Sequence, residues 1–413
     1  MTESRRVVVI GGGAAGTMAA GFAAALGSET LLLERTRDGG RKILISGGGR
    51  CNILPARVDE GRFVTDSSPH TLRKIIRSWP LAEQVAFFER ELGQPLREEP
   101  ESAKLFPASN RARDVRDGLL TWARRQGVQW LPETLVTGVA PEAGRWRVER
   151  DGGPPLRADA VILATGGLSV PTTGSDGRGL AIAAALGHTV HATYPALTPL
   201  TADPAPFAGL AGISLPVTIA ARSHDQEAQA TGGFLFTHRG YSGPAVLDIS
   251  HVAVRSRGES APAAVRVRWT PLDESGWEEA LRPTGSRTVA GAVRQQLPER
   301  LADALVGWAG VDPARPLAQL RRDERRRLIE TLVRGELPWS GDEGYRKAEV
   351  TGGGVSLAEI DPRTMESRRH PGLFLCGELL DAFGPIGGYN FLWAWATGRA
   401  AGIGAGMRSG PGP

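Results

Sequence analysis

Residues 7 to 16 read VVVIGGGAAG, and few ten-residue stretches leave a chain so little freedom. The β-branched run Val7–Ile10 favours a strand. Gly11, Gly13 and Gly16 then form a G-x-G-x-x-G pattern with Ala14 and Ala15 inside it. An alanine-rich helical stretch runs to about Leu26, and TLLLE at 30–34 is a second apolar strand. Strand, glycine turn, helix, strand predicts a parallel α/β domain, because parallel strands need a crossover between them. In such a unit the first glycine permits the tight turn, the second lets a diphosphate approach the backbone, and the third lets helix and strand pack closely. Glu34 ends the second strand about 20 residues on, where a carboxylate holds a ribose 2′-hydroxyl. The spacing predicts a dinucleotide site at Gly11–Gly16 and Glu34, against the plainer reading of a tight structural turn.

At 413 residues the chain exceeds one typical core, so more than one domain is expected. Helical spacing at 71–92 and 111–127, with strands in WRVER and DAVILATGG, carries the α/β pattern to about residue 190. From 191 to 285, alternating stretches such as LPVTIAA and AAVRVRWTP predict an inserted β-rich substrate domain. Residues 286–345 predict a helical cap within that insertion, in which RRDERRR (321–327) reads as the solvated face of a helix. After it, VTGGGV, GLFLCGELLDAFG and a helix from about 390 to 403 restore the α/β character. The fold class expected is α/β, a discontinuous Rossmann-like domain (1–190 and 346–413) around a β-rich insertion. The tail GAGMRSGPGP is expected to fray.

Apolar content of 41% and charged content of 23% belong to a globular chain rather than a disordered one. Of 49 basic residues only Lys42, Lys74, Lys104 and Lys347 are lysines. The arginine bias, spread along the chain, reads as a coding preference rather than a nucleic-acid patch. The sequence pI of 9.4 leaves a weak hint of a polyanionic partner. Two cysteines far apart, Cys51 and Cys376, support neither a disulfide framework nor a multi-cysteine metal site, and fit a reducing cytoplasm. No apolar run reaches the roughly 18 residues of a membrane span, and VVVI breaks into glycines instead of forming a signal peptide. His188 and His191 make an H-x-x-H with no further ligand in register, so no metal is expected.

The glycine pattern does not say which dinucleotide. The strand DAVILATGG ends in Ala164, Thr165 and Gly166, and GLFLCGELLD ends in Gly377 and Glu378; a simple NAD domain needs neither. With these, the chain resembles the glutathione-reductase-like FAD superfamily, and within it the BaiN-like group, also called the aminoacetone oxidase family of FAD-binding enzymes. The resemblance rests on GRKILISGGGRCN, LFPASNRA, FTHRGYSGP, VTGGGV, TMES and GLFLCGELLDAFGPIGGYNFLWAWATG, which together span about residues 6 to 403.

The resemblance implies FAD as the tightly held cofactor. It places Arg35, Arg41 and Lys42 along the dinucleotide, with Val136 as a further contact, and Ser46, Gly47, Gly49, Arg50, Cys51 and Asn52 beside the flavin ring. Glycines there let backbone amides approach a flat ring. Gly387, Gly388, Tyr389, Asn390 and Phe391 open the last helix, whose positive end would favour negative charge on the ring. Trp393 and Trp395 read as core. Cys51 lacks a C-x-x-C partner, so a packed or ring-contacting residue is favoured over a catalytic thiol. Arg50 is open between a substrate anion site, a flavin contact and a surface ion pair. In FTHRGYSGP, His238 is either a proton donor to substrate or the anchor of a turn; LFPASNRA lines the same cavity or caps a helix at Ser109 or Asn110.

Together these features predict an FAD-dependent oxidoreductase that moves hydride through flavin N5 to or from a small organic molecule. His238, Tyr389 and Arg50 are its candidate catalytic residues. NAD(P)H is a candidate donor that would bind transiently, since no second glycine motif follows a strand. An RNA-modifying flavoprotein is the rival from another class, although no module of interleaved aromatic and basic residues is visible. A flavin-binding sensor without turnover is the third. Oligomeric state is not readable from these residues.

Overall fold

A computed structural model describes residues 4–407 of the chain, so the expected fraying of the tail falls largely outside the described residues. Two compact units form. One comprises the N-terminal residues through Thr193 together with Val350 onward; the other is Tyr194–Glu349.

In the first unit, β1 (Arg6–Ile10), α1 (Ala14–Ala25) and β2 (Glu29–Leu33) form the βαβ unit expected from the glycine motif. The chain continues through α2 (Arg41–Ile45), α3 (Pro69–Arg77), α4 (Ala112–Arg125), β3 (Gln129–Leu131) and β4 (Ala160–Leu163). After the insertion come β5 (Val350–Val355), β6 (Leu373–Leu375) and α5 (Tyr389–Gly406). The central sheet runs β6-β4-β1-β2-β3, parallel throughout. Val7, Val8 and Val9 have no exposed surface, as a parallel strand covered on both faces requires. Small antiparallel sheets flank this Rossmann-like core.

The last helix closes the unit from its other terminus. Gly398, Gly402 and Gly406 lie one above another at intervals of four, where a Cβ would fall 2.4, 2.3 and 3.1 Å from the carbonyl oxygens of Ala15, Ala19 and Ala23. The missing side chains let α5 lie directly on α1, so the two ends of the sequence share one core.

The second unit is built on a seven-stranded antiparallel sheet. Its long hairpin, Ser214–Arg222 with Glu227–Thr237, runs in continuous register from Ser214↔Leu235 to Arg222↔Glu227. Trp277, Phe234 and Phe236 are buried in its core, and the helices Val289–Val293, Glu299–Trp308 and Arg322–Arg334 share that core.

Some local expectations change. The helical stretch at 71–92 is divided, because Pro80 ends it and a new helix starts at Leu81. The cap of α4 is Arg111 rather than Ser109 or Asn110, Asn110 being in the left-handed region at φ 54°. In RRDERRR, Glu324 is buried and accepts from Arg315 and Arg321, so that run is more than a solvated face. No helix among the described residues is long and apolar enough to cross a membrane.

Candidate active site

The turn between β1 and α1 is shaped by two contacts that only glycine allows. Gly11 sits at φ 106°, and a Cβ on Gly16 would lie 1.8 Å from the Gly11 carbonyl oxygen. Gly13, by contrast, faces open space, with nothing within 4 Å of where its Cβ would be. It caps α1, whose first N–H groups at Ala14, Ala15 and Gly16 lack intrahelical acceptors. An open hollow at a bare helix N-terminus suits a diphosphate. Ala164 borders it from β4: its N–H donates to Ile10 O (2.9 Å), and its own carbonyl lies where a Gly11 side chain would be.

Glu34 is buried at the end of β2 and does more than wait for a sugar. Its Oε2 accepts from the Gly12 N–H (2.7 Å), while Oε1 accepts from the Thr36 N–H (2.7 Å) and Thr36 Oγ1 (2.6 Å). Of roughly four lone-pair directions on a carboxylate, about one stays free, on Oε2. Glu34 thus fixes the glycine turn and retains capacity for one hydroxyl. Arg35, next along, pairs with Asp176. Val136 starts a strand two residues past Thr134, whose N–H donates to the Glu34 carbonyl (2.8 Å).

Lys42 on α2 donates to both Glu378 and Ser169. Glu378 Oε1 also accepts from Ser169 Oγ, Thr351 N (3.0 Å) and Thr351 Oγ1 (2.9 Å), and the Leu168 N–H donates to Thr351 Oγ1 (2.7 Å). One carboxylate therefore ties α2, the loop after β4, β5 and the turn after β6 at the carboxyl end of the sheet. Gly377 beside it is left-handed at φ 75°, and a Cβ there would lie 2.9 Å from Ala15 Cβ. Thr165 and Gly166 lead into the same loop; Gly179 leaves room for Thr165 Oγ1. Ser169 and Thr351 were not singled out from the sequence.

Arg41 pairs with Asp38 (2.8 Å), and that hydrogen bond holds the Asp38 carboxyl below its usual range. Beyond α2 the backbone coils through Ser46–Gly49, with Gly47, Gly48 and Gly49 all left-handed. A Cβ on Gly48 would meet nothing within 4 Å and one on Gly49 only the Leu44 carbonyl at 3.9 Å, so this segment presents bare backbone. Ser46 Oγ donates to Ile43 O (2.8 Å), and Asn52 packs against Gly47. Cys51 is fully buried, and burial pushes its thiol up to about 12, against a smaller opposing effect from Ser46. Such a thiol stays protonated near neutrality and is a poor nucleophile. Arg50 is exposed: it bonds Glu99 (2.9 Å) and lies 4.2 Å over the Phe106 ring.

At the start of α5, Gly387 and Gly388 are left-handed, and a Cβ on Gly388 would strike the Leu54 backbone at 2.3 Å. Asn390 fastens this loop by pairing with Gly384 in both directions (2.9 Å each). The Tyr389 hydroxyl accepts from the Asp59 N–H (3.2 Å) and donates to Arg57 O (3.3 Å), so its proton is already placed on backbone. Phe391 stacks on Trp395 at 5.3 Å; Trp393 and Trp395 are core.

His238 lies in the second unit, exposed with Arg239 at the tip of the hairpin closed by Thr237 and Gly240. Its ring makes no hydrogen bond among the described residues, while Tyr241 of the same motif is buried and donates to Pro338 O (2.9 Å). His188 is held between Glu359 (2.8 Å) and Ser367 (3.0 Å), and burial lowers its basicity. His191 lies 3.7 Å from Asp381.

Residues 5–404 match the family model described as the HI0933-like protein Rossmann domain. The ribosomal RNA dihydrouridine synthase of Escherichia coli is 33% identical over 95% of this chain and 96% of its own length. The 3-dehydro-bile acid delta(4,6)-reductase of Clostridium scindens is 34% identical over 98% and 99%. Among solved structures, the Sdh1 complex of Mycobacterium smegmatis superposes with a TM-score of 0.50 at 16% identity, over 98% of this chain and 68% of that one, a likeness of fold.

Proposed function

For a chain that belongs to the HI0933-like Rossmann family and is an FAD-dependent oxidoreductase, we propose the reduction of a carbon–carbon double bond conjugated to a carbonyl group. The observation that carries this reading is the open glycine cradle at Gly13 in one unit with the bare backbone of Ser46–Gly49, which follows α2, the helix that Lys42 ties to Glu378. It accommodates a long cofactor with a flat end. The two relatives' names share one chemistry: forming dihydrouridine saturates a bond conjugated to the uracil carbonyl, and a delta(4,6)-reductase acts on double bonds conjugated to a 3-oxo group. Such an acceptor takes hydride at the carbon remote from its carbonyl and a proton next to it.

With FAD held in the cradle, the group would supply hydride chemistry at its flavin ring. The chain's own residues hold and polarise. The N–H groups of Ala14, Ala15 and Gly16 take the diphosphate, and the free lone pair of Glu34 takes a ribose hydroxyl. Ser46–Asn52 and Gly387–Asn390 would border the ring, where the positive end of α5 would favour negative charge. His238 is the candidate proton donor; Tyr389 anchors the α5 loop, and Arg50 pairs with Glu99 over the Phe106 ring. NAD(P)H is the proposed electron source.

The test is anaerobic. The purified protein, reduced with NADH or NADPH, is mixed with a 3-oxo-4,6-diene steroid or with uridine-containing ribosomal RNA. Reoxidation by either, with gain of two hydrogens in the product, supports the reading; reoxidation only by dioxygen refutes it.

A further inference from the structure

We propose that the cavity between α3 and the C-terminal half of α5 binds the phosphodiester backbone of an RNA strand, at a site separate from the glycine cradle. The inference deepens the reading above, and rests on it, by naming the macromolecule that carries the acceptor carbonyl.

The cavity measures about 750 Å³ and is lined by His70, Arg73, Lys74, Arg77, Arg363 and Arg399, with no carboxylate in its wall. Four of these come from α3 at positions i, i+3, i+4 and i+7, which is one helical face; Leu72, Ile75 and Ile76 bury the other. Arg77 is held by Glu60 (2.8 Å) and Arg363 by Asp361 (3.5 Å). Lys74 and Arg77 also sit in the last turn, where cations favour the helix end. His70, Arg73, Lys74 and Arg399 make no hydrogen bond or ion pair among the described residues, and of the four only Arg399 has ring contacts.

Arg399 is the most informative of them. Its guanidinium lies over the Trp79 ring at 5.2 Å and the Phe22 ring at 5.6 Å, which fixes its plane at the cavity. Burial lowers its basicity, and Glu83 offsets this only at long range. A partly desolvated cation without a contacting carboxylate is a cost that an entering anion relieves, and a planar guanidinium matches phosphate oxygens. The cationic face of α3 is about 10 Å long, more than one phosphate group occupies and enough for consecutive phosphates of a strand. Arg399 stands about 15 Å along α5 from Tyr389, so the two sites are distinct.

The experiment uses the flavin-loaded full chain and a short, 5′-labelled, uridine-containing single strand of RNA, with binding followed by fluorescence anisotropy against potassium chloride. The variant Arg73→Gln/Lys74→Gln touches no residue of the glycine cradle. We expect wild-type affinity to fall steeply with salt, and the variant to bind about tenfold more weakly with a log–log slope shallower by about 1.4. Flavin content and reduction of a free conjugated ketone should be unchanged. Equal affinity and slope in the two proteins would overturn the site, as would RNA binding that ignores salt. Competition by millimolar inorganic phosphate at wild-type strength in the variant would overturn it too. Failure of the reduced wild type to be reoxidised by either the free ketone or uridine-containing RNA would instead count against the functional reading, leaving RNA binding to be judged by its own slope.

Discussion

Lys42 and Glu378 form an ion pair across 336 residues of sequence, with Ser169 bonded to both. The pair fastens α2 to the turn after β6, joining the N-terminal and C-terminal parts of one unit. Its side chains keep 28% and 17% of their exposure, so solvent screens the pair in part. Lys42→Met should destabilise the protein by about 1–3 kcal/mol and weaken FAD retention. Adding Glu378→Gln should cost less than its own single effect, because the carboxylate then has no lost partner. Urea titration of the four forms measures this coupling; strictly additive losses would show the two charges act independently.

Glu34 should matter twice over. Glu34→Ala frees the Gly12 and Thr36 N–H groups and, on the proposed function, removes the acceptor of the ribose hydroxyl, so FAD affinity should fall by roughly 1.5–3 kcal/mol. Glu34→Gln keeps the volume and should lose less. Fluorescence titration of the apoprotein with FAD checks both, and unchanged affinity in the alanine variant would remove Glu34 from the site.

Acid should unfasten the Glu359 cluster. Its carboxylate accepts from Arg369 (2.7 Å), Thr189 (2.8 Å) and His188 (2.8 Å); the Arg369 bond, foremost, holds it at about 2 against an ordinary 4.5. A carboxylate depressed by folding contributes stability above its unfolded value and loses it as pH falls through the folded one. Glu359→Gln should therefore be less stable than wild type near neutrality, with the gap closing between about pH 4.5 and 2. Urea midpoints across that range decide; a gap that stays constant down to pH 2 contradicts the pairing.

His238 is exposed at a hairpin tip and its ring holds no described partner, so nothing local depends on it. His238→Gln should keep FAD, stability and reduction by nicotinamide. If the imidazole protonates the acceptor, reoxidation by substrate slows by roughly 10²–10⁴-fold. Rapid mixing separates the two half-reactions, and a wild-type reoxidation rate would dismiss the histidine.

The parts legible in sequence were those where backbone geometry forces residue type. Gly11, Gly16 and Gly377 sit where a Cβ would strike another chain segment, and an acid ends β2 at Glu34. Ser169 and Thr351 were illegible because a hydroxyl in a loop has no periodicity; only the fold brings them to Glu378. The cavity at Arg399 was illegible because its α3 face, periodic on its own, meets Arg399 only through a helix more than 300 residues later. Tyr389 stands out in sequence as a candidate by position, but the backbone bonds that occupy its hydroxyl do not.

What the reduced protein should require of its acceptor is a carbonyl conjugated to the double bond. Anaerobic stopped-flow reoxidation of the FAD-loaded protein with a matched pair decides this: a ring ketone conjugated to its double bond, and the same skeleton with the double bond moved out of conjugation. Reoxidation by the first, with two hydrogens gained in the product, and none by the second is the expected result. Equal rates with both, or no reoxidation by either, would contradict it.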